Sequence, residues 1–303
     1  MSPLALLAAY GCALVVFSIA GGALPQRIEM THTRTQLAMS LVSGLMLGIA
    51  FFHLLPHSVL TLGVHAGLTV VMSWVMLGLI VMLLLLRLLH FHQPDYAGDP
   101  LTLCDHEHGG GHTHSHSGHG EQAVPLVVAR VNWKGVLVGL TFHTFIDGVA
   151  LGAAFLAFPH GHHGQLLGFG VFLAILLHKP LDAMAIMALM KAAGTSVALQ
   201  WRANLVFALV CTLGALLFYL YAVNLGDAGG DVIAAALAFS AGAFVCIALS
   251  DLLPEVQFHS HDRVKLTAVF LLGIALAYLM ATSSPEHSHG VVPMLTSGGG
   301  AGL

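Results

Sequence analysis

Residues 67–89 read Gly-Leu-Thr-Val-Val-Met-Ser-Trp-Val-Met-Leu-Gly-Leu-Ile-Val-Met-Leu-Leu-Leu-Leu-Arg-Leu-Leu, and their one charge, Arg87, stands near the end. A helix of about 20 apolar residues matches the ~30 Å hydrocarbon core of a bilayer. Working outward, seven more such runs appear, at roughly 3–24, 38–58, 133–158, 164–190, 203–224, 231–256 and 265–282. The first lacks a basic leader and is too long for a signal peptide, so it reads as a span. Composition agrees. The 303 residues are 57% hydrophobic and only 8% charged, with a mean hydropathy of +0.87. Soluble domains carry about a quarter charged residues, which excludes a water-soluble globule. The expectation is an all-α polytopic membrane protein with eight transmembrane helices, forming a single transmembrane domain over 1–303 with the lipid bilayer as a partner.

A net charge of −4 leaves no basic footprint for nucleic acid. Cys12, Cys104, Cys211 and Cys246 show no CxxC spacing, so neither a disulfide framework nor a thiolate zinc knuckle is indicated. Histidine is the outlier: 21 of them, against 10 Lys and Arg together. Nothing in the chain asks for a catalytic cofactor.

Orientation follows from the basic residues. Arg27, Arg34, Arg87, Arg130, Lys134, Lys191, Arg202, Arg263 and Lys265 all fall on one side, whereas 59–66, 159–163, 225–230 and both tails hold none. This puts both termini outside, extracellular or periplasmic, in a plasma or bacterial inner membrane. The polar loop at 90–130 then faces the cytoplasm, and the Gly/Ser/His-rich tail at 283–303 reads as a disordered external segment.

Segment two carries Gly44 and then His53-Leu54-Leu55-Pro56-His57. Segment seven carries Gly242 and then Asp251-Leu252-Leu253-Pro254-Glu255, at the same Gly-to-Pro spacing. Each is the middle of a three-helix group, and the odd step between them inverts the second copy. Helices 1–3 and 6–8 thus form an inverted repeat around helices 4–5, the arrangement that places a transport site at the midplane.

Helix four contains His143-Thr144-Phe145-Ile146-Asp147, and helix five contains His178-Lys179-Pro180-Leu181-Asp182. In each, His and Asp at i and i+4 share one helical face, near mid-span. An unpartnered carboxylate at that depth costs about 2.5–3.5 kcal/mol. One such pair could simply be a hydrogen bond gluing helices together; two copies on successive helices argue for a ligand set. Two nitrogens and two oxygens suit Zn²⁺, with Fe²⁺, Mn²⁺ and Cd²⁺ as guests, while the absence of thiolates speaks against Cu(I). Pro180, Pro56 and Pro254 leave carbonyls without a helical donor, which either adds oxygen ligands or bends the helices. Gly135/Gly139, Gly148/Gly152 and Gly44/Gly48 have the spacing of close helix packing.

These residues resemble a known family. His143-Thr-Phe-Ile-Asp147-Gly-Val-Ala-Leu-Gly-Ala-Ala-Phe155 is similar to the fourth-helix signature of the ZIP (Zrt/Irt-like) metal transporters. The HLLPH and DLLPE repeats and the His-rich loop after helix three are similar as well, and the likeness runs through essentially the whole chain. It implies an eight-helix importer of zinc or a similar divalent ion, working as a homodimer, with a first metal site on His143, Asp147, His178 and Asp182. A second site would fall on Thr144 and Lys179, sharing the two aspartates. Binuclear members offer a carboxylate where Lys179 stands, and the departure removes a ligand of the second metal. A lysine this deep must find a carboxylate, Asp147 or Asp182, and its charge would repel a second dication, so one central metal is expected, with Lys179 standing in for the second.

His53 and His57 near the outer end, the central four, and Asp251 and Glu255 near the inner end describe a relay of ligands. For His53 and His57 alone an interfacial polar role is the better-supported explanation, and Asp251 could instead pair with Arg263 or Lys265. His106, His108, His112, His114, His116 and His119, on a chain too polar to form a core, read as a cytoplasmic metal trap or sensor. His160, His162 and His163 offer a weaker outer collector, and His259/His261 and His287/His289 a weaker one still. Two rivals remain open at this point. An exporter resembling the cation diffusion facilitators would have six helices and then a soluble domain, where this chain has helices seven and eight. A membrane-embedded zinc hydrolase would need an open water position on the metal.

Overall fold

The computed structural model describes residues 2–27, 32–62, 64–88, 133–157, 168–226, 229–258 and 263–282, with the side chains at 25–27, 32, 64–67, 88 and 251–258 left aside. Every element among them is helical, and eight helices are long and apolar enough to cross a membrane. We number them in chain order. They are α1 (Pro3–Arg27), α2, α3 (Val64–Leu88), α4 (Trp133–Leu156), α5 (Phe169–Ala192), α6 (Val197–Asn224), α7 (Gly229–Phe258) and α8 (Arg263–Thr282). Helix α2 starts as His32–Ile49, passes through a π-helical turn at Ala50–Leu54, and resumes as Leu55–Leu62. The wider turn has a local cause. Pro56 lacks an N–H, and its ring would strike the carbonyl four residues back. The Leu55 amide immediately before it reaches back to the Ala50 carbonyl, a five-residue step, and the strain is relieved.

The helices form two groups of four. In one, α1 packs on α5 and α4 on α6, with α1 and α6 also in contact; in the other, α2 packs on α8 and α3 on α7, with α2 against α7. The groups meet chiefly where α4 touches α7 and α5 touches α2. Exchanging α1 with α6, α2 with α7, α3 with α8 and α4 with α5 turns this set of contacts into itself. That is the inverted repeat read from the two Pro motifs.

Residue-level packing repeats as well. A Cβ on Gly44 would strike the Phe270 carbonyl oxygen, and one on Gly273 the Leu41 carbonyl oxygen. In the other copy, Gly242 is backed by the Val75 carbonyl and Gly78 by the Phe239 carbonyl. In all four cases the carbonyl lies three residues before the partner helix's own glycine. Gly148 and Gly214 cross in the same way, against the carbonyls of Cys211 and Phe145. In lipid, where apolar burial drives nothing, such backbone-to-backbone contact is what dispersion can use to hold helices together.

Candidate metal centre

Helices α4 and α5 run side by side in opposite directions, so each His-x-x-x-Asp face meets the other inverted. His178 Nε2 lies 3.2 Å from Asp147 Oδ2 and 3.9 Å from Asp182 Oδ2. His143 lies between the aspartates, with Nδ1 3.5 Å from Asp147 Oδ1 and Nε2 3.7 Å from Asp182 Oδ2. One ligand atom from each of the four falls within 4.8 Å of all the others. The imidazole rings are tilted by 28° with centroids 5.7 Å apart.

Tautomers sharpen the geometry. Nδ1 of His178 donates to the Ala174 carbonyl at 2.8 Å, and Nε2 stands 3.2 Å from Asp147 Oδ2, where it either carries a second proton for that carboxylate or, in the neutral ring, offers a lone pair to a cation. His143 Nδ1, Asp147 Oδ1 and Asp182 Oδ2 are buried without hydrogen-bond partners. Acceptors this close repel one another unless a proton or a cation lies between them. Metal–ligand bonds of 2.0–2.2 Å in a tetrahedron put the ligand atoms about 3.3–3.6 Å apart. The nearest contacts, 3.2–3.9 Å, lie around that range, while the set of one atom from each residue spreads over as much as 4.8 Å and would have to draw together by about 1 Å around an ion.

His143, Asp147 and His178 are sealed, whereas the Asp182 side chain keeps 21% of its surface exposed. Access to the cluster is therefore from the Asp182 side. Phe244 of α7 presents its ring edge-on to His178, 6.5 Å between centroids, and closes another wall.

Thr144 and Lys179, the two residues that follow the histidines, meet each other. Lys179 Nζ donates to Thr144 Oγ1 at 2.7 Å and to Asp147 Oδ2 at 3.1 Å, and lies 5.0 Å from the centre of the Phe207 ring on α6. Lys179 is completely buried. The charge thus pairs with Asp147, not Asp182, among the described contacts. Sequence reasoning missed Phe207 and the Ala174 carbonyl, because neither carries a spacing signal; only the folded bundle brings them in.

His53 and His57 stand apart from the cluster. His53, in the π turn, has Nε2 3.3 Å from the Ala277 carbonyl, and its ring backs onto Gly170 of α5, where an added Cβ would come within 3.1 Å. His57 Nδ1 hydrogen-bonds the His53 carbonyl. Gly170 is eight residues before His178, about 12 Å along α5. Asp251 and Glu255 fall in the last turns of α7, but their side chains lie outside the described residues. So do all of His106, His108, His112, His114, His116 and His119, together with His160, His162, His163, His259, His261, His287 and His289.

The comparisons with known proteins agree with this architecture. Residues 4–281 match the family model described as ZIP Zinc transporter. The zinc transporter ZIP9-B of Xenopus laevis is 35% identical over 158 residues, half of each chain. Human zinc transporter ZIP10 is 29% identical over 181 residues, 58% of this chain and 20% of that one. Caenorhabditis elegans zinc transporter zipt-7.2 is 33% identical over 145 residues, 46% and 29% respectively. The chain spans half the length or less of these curated relatives. With a family match running through all eight apolar helices, this multi-pass membrane chain belongs to the ZIP zinc transporter family.

Proposed function

We propose that the chain imports zinc, or a divalent ion of similar chemistry such as Fe²⁺, Mn²⁺ or Cd²⁺, into the cytoplasm. The transported ion would be held at mid-membrane by His143, Asp147, His178 and Asp182. One observation carries this reading: four ligand-type groups from two inverted helices converge within 4.8 Å in a mostly buried place, with His143 Nδ1, Asp147 Oδ1 and Asp182 Oδ2 lacking hydrogen-bond partners. The names of the zinc transporter relatives support the choice of cargo. The basic-residue bias supports both termini outside. In that orientation Asp182, the ligand with an exposed edge, points toward the cytoplasm and serves release, while His53 lies on the outer approach and serves capture. Asp251 and Glu255 belong to the inner exit, and the loop histidines of 104–121 to retention after entry.

The same reading gives one metal per protomer. A second dication beside Asp147 would need the place of the Lys179 ammonium, 3.1 Å from Oδ2 and bound to Thr144. The test is zinc uptake by proteoliposomes together with anomalous scattering from the loop-deleted protein. Asp147→Ala and Asp182→Ala should each abolish uptake, and the unsubstituted site should show a single peak among the four ligands. Normal uptake by a correctly inserted Asp182→Ala protein would refute the site. Two peaks bridged by the aspartates, with Lys179 intact, would refute the stoichiometry. Deleting 104–121 should leave the initial uptake rate unchanged and reduce the metal retained.

A further inference from the structure

Lys179 raises a question that metal binding alone does not answer: what its charge does when the site is empty. The hydroxyl, carboxylate and aromatic face around Nζ are all surroundings that suit an ammonium ion. Elsewhere in α1, α4, α5 and α6 the charged residues are Arg27, Lys134, Lys191 and Arg202, each within two turns of a helix end. The interiors of these four helices hold Asp147, Lys179 and Asp182 and no other charged residue. With neutral imidazoles, two carboxylates and one ammonium leave the empty site at minus one. A divalent ion brings it to plus one.

We propose that Lys179 is a built-in counter-cation that equalises the charge of the empty and loaded site, so that the empty transporter returns without a bound ion. The proposal rests on the import reading above. The cost of holding net charge in a low-dielectric interior grows with its square. With the lysine, the two legs of an alternating-access cycle carry charges of equal magnitude and meet comparable barriers. Without it the loaded site would be neutral and the empty one doubly negative. Loaded crossings would run freely while empty returns stalled, turning a net importer into an exchanger.

The experiment compares two fluxes of labelled zinc in proteoliposomes of the full chain: entry into zinc-free vesicles, which needs the empty return, and exchange into zinc-filled vesicles, which does not. In Lys179→Met the ratio of net entry to exchange should fall on the order of tenfold, and in Lys179→Arg it should stay near the unsubstituted value. A second measurement needs no variant. A loaded site carrying one charge feels the membrane potential, so about 100 mV of either sign should slow saturated exchange about two- to fourfold. Exchange in Lys179→Met should ignore the potential. The proposal is overturned if net entry and exchange fall in proportion in Lys179→Met, or if exchange by the unsubstituted protein is indifferent to voltage. Failure of the import reading looks different, because both fluxes would then survive in Asp147→Ala.

Discussion

Helices α4 and α5 carry the same His-x-x-x-Asp pattern and are exchanged by the same pseudo-twofold, yet their polar faces have diverged. On α4 the residue after the histidine is Thr144 and the aspartate is sealed; on α5 it is Lys179, and the aspartate keeps a fifth of its surface exposed. Symmetry sets where the four candidate ligands stand. The departures from it set what each one does. Asp147 is tied to Lys179 and His178 at 3.1 and 3.2 Å and is a fixed part of the bundle. Asp182 has an oxygen with no hydrogen-bond partner and an open edge, which fits the release role proposed for it.

The largest effect expected from this difference is in stability. Asp147→Ala strands a buried ammonium, and removing one partner of a buried ion pair costs about 3–5 kcal/mol. Asp182→Ala leaves no buried cation behind and should cost about 1 kcal/mol or less. Both variants should lose uptake, so thermal unfolding in detergent is what separates them. Equal destabilisation would mean that the two aspartates are structurally alike and the asymmetry is cosmetic.

The helix crossings test the opposite side of the comparison, where the halves should behave identically. Gly44→Ile and Gly242→Ile push a side chain onto the carbonyls of Phe270 and Val75 in the two copies of one packing motif. Overpacking of this kind costs about 1–3 kcal/mol, and the two losses should agree within about 1 kcal/mol. Gly230→Ala, where an added Cβ meets nothing within 4 Å, should leave the melting temperature unchanged. A tolerant Gly242 beside an intolerant Gly44 would show that the repeat has drifted in packing as well as in chemistry.

Much of this was legible in the sequence. Eight spans, their inverted pairing and the convergence of His143, Asp147, His178 and Asp182 follow from uncharged runs and from the i, i+4 spacing, which depends only on local chain geometry. Boundaries were less so. Apolarity places the start of the sixth span near 203, but α6 begins at Val197, because Ser196 caps the Leu199 amide and Gln200 and Arg202 continue the helix past the apolar run. Likewise α5 starts at Phe169 rather than 164, just after Gly168 takes a left-handed turn at φ 64°. The π turn is encoded by Pro56 only as a conflict to be relieved, with several ways of relieving it. The resemblance already set Lys179 beside Thr144 and the two aspartates, and the structure joins it to Thr144 and Asp147; its aromatic neighbour Phe207 was out of reach, since α6 approaches only after three helices have packed.

The smallest effect concerns His53 and separates a ligand from a structural bond. Its ring backs onto Gly170 of α5, about 12 Å before His178, and its Nε2 lies 3.3 Å from the Ala277 carbonyl. The copy of this position in the other half is Asp251, so the repeat offers an imidazole at one end and a carboxylate at the other. A capture ligand contributes binding before the metal reaches the centre. His53→Ala should therefore raise KM for zinc about three- to tenfold with kcat nearly unchanged. Loss of a hydrogen bond to Ala277 would cost about 1 kcal/mol of stability instead and leave KM alone. His53→Asn, with an amide that can still donate to that carbonyl, tells the two apart. Recovered stability with KM still raised identifies the imidazole as a metal ligand. Recovery of both would reduce His53 to a strut between α2 and α8, and the outer half of the relay would then lose its best-placed member.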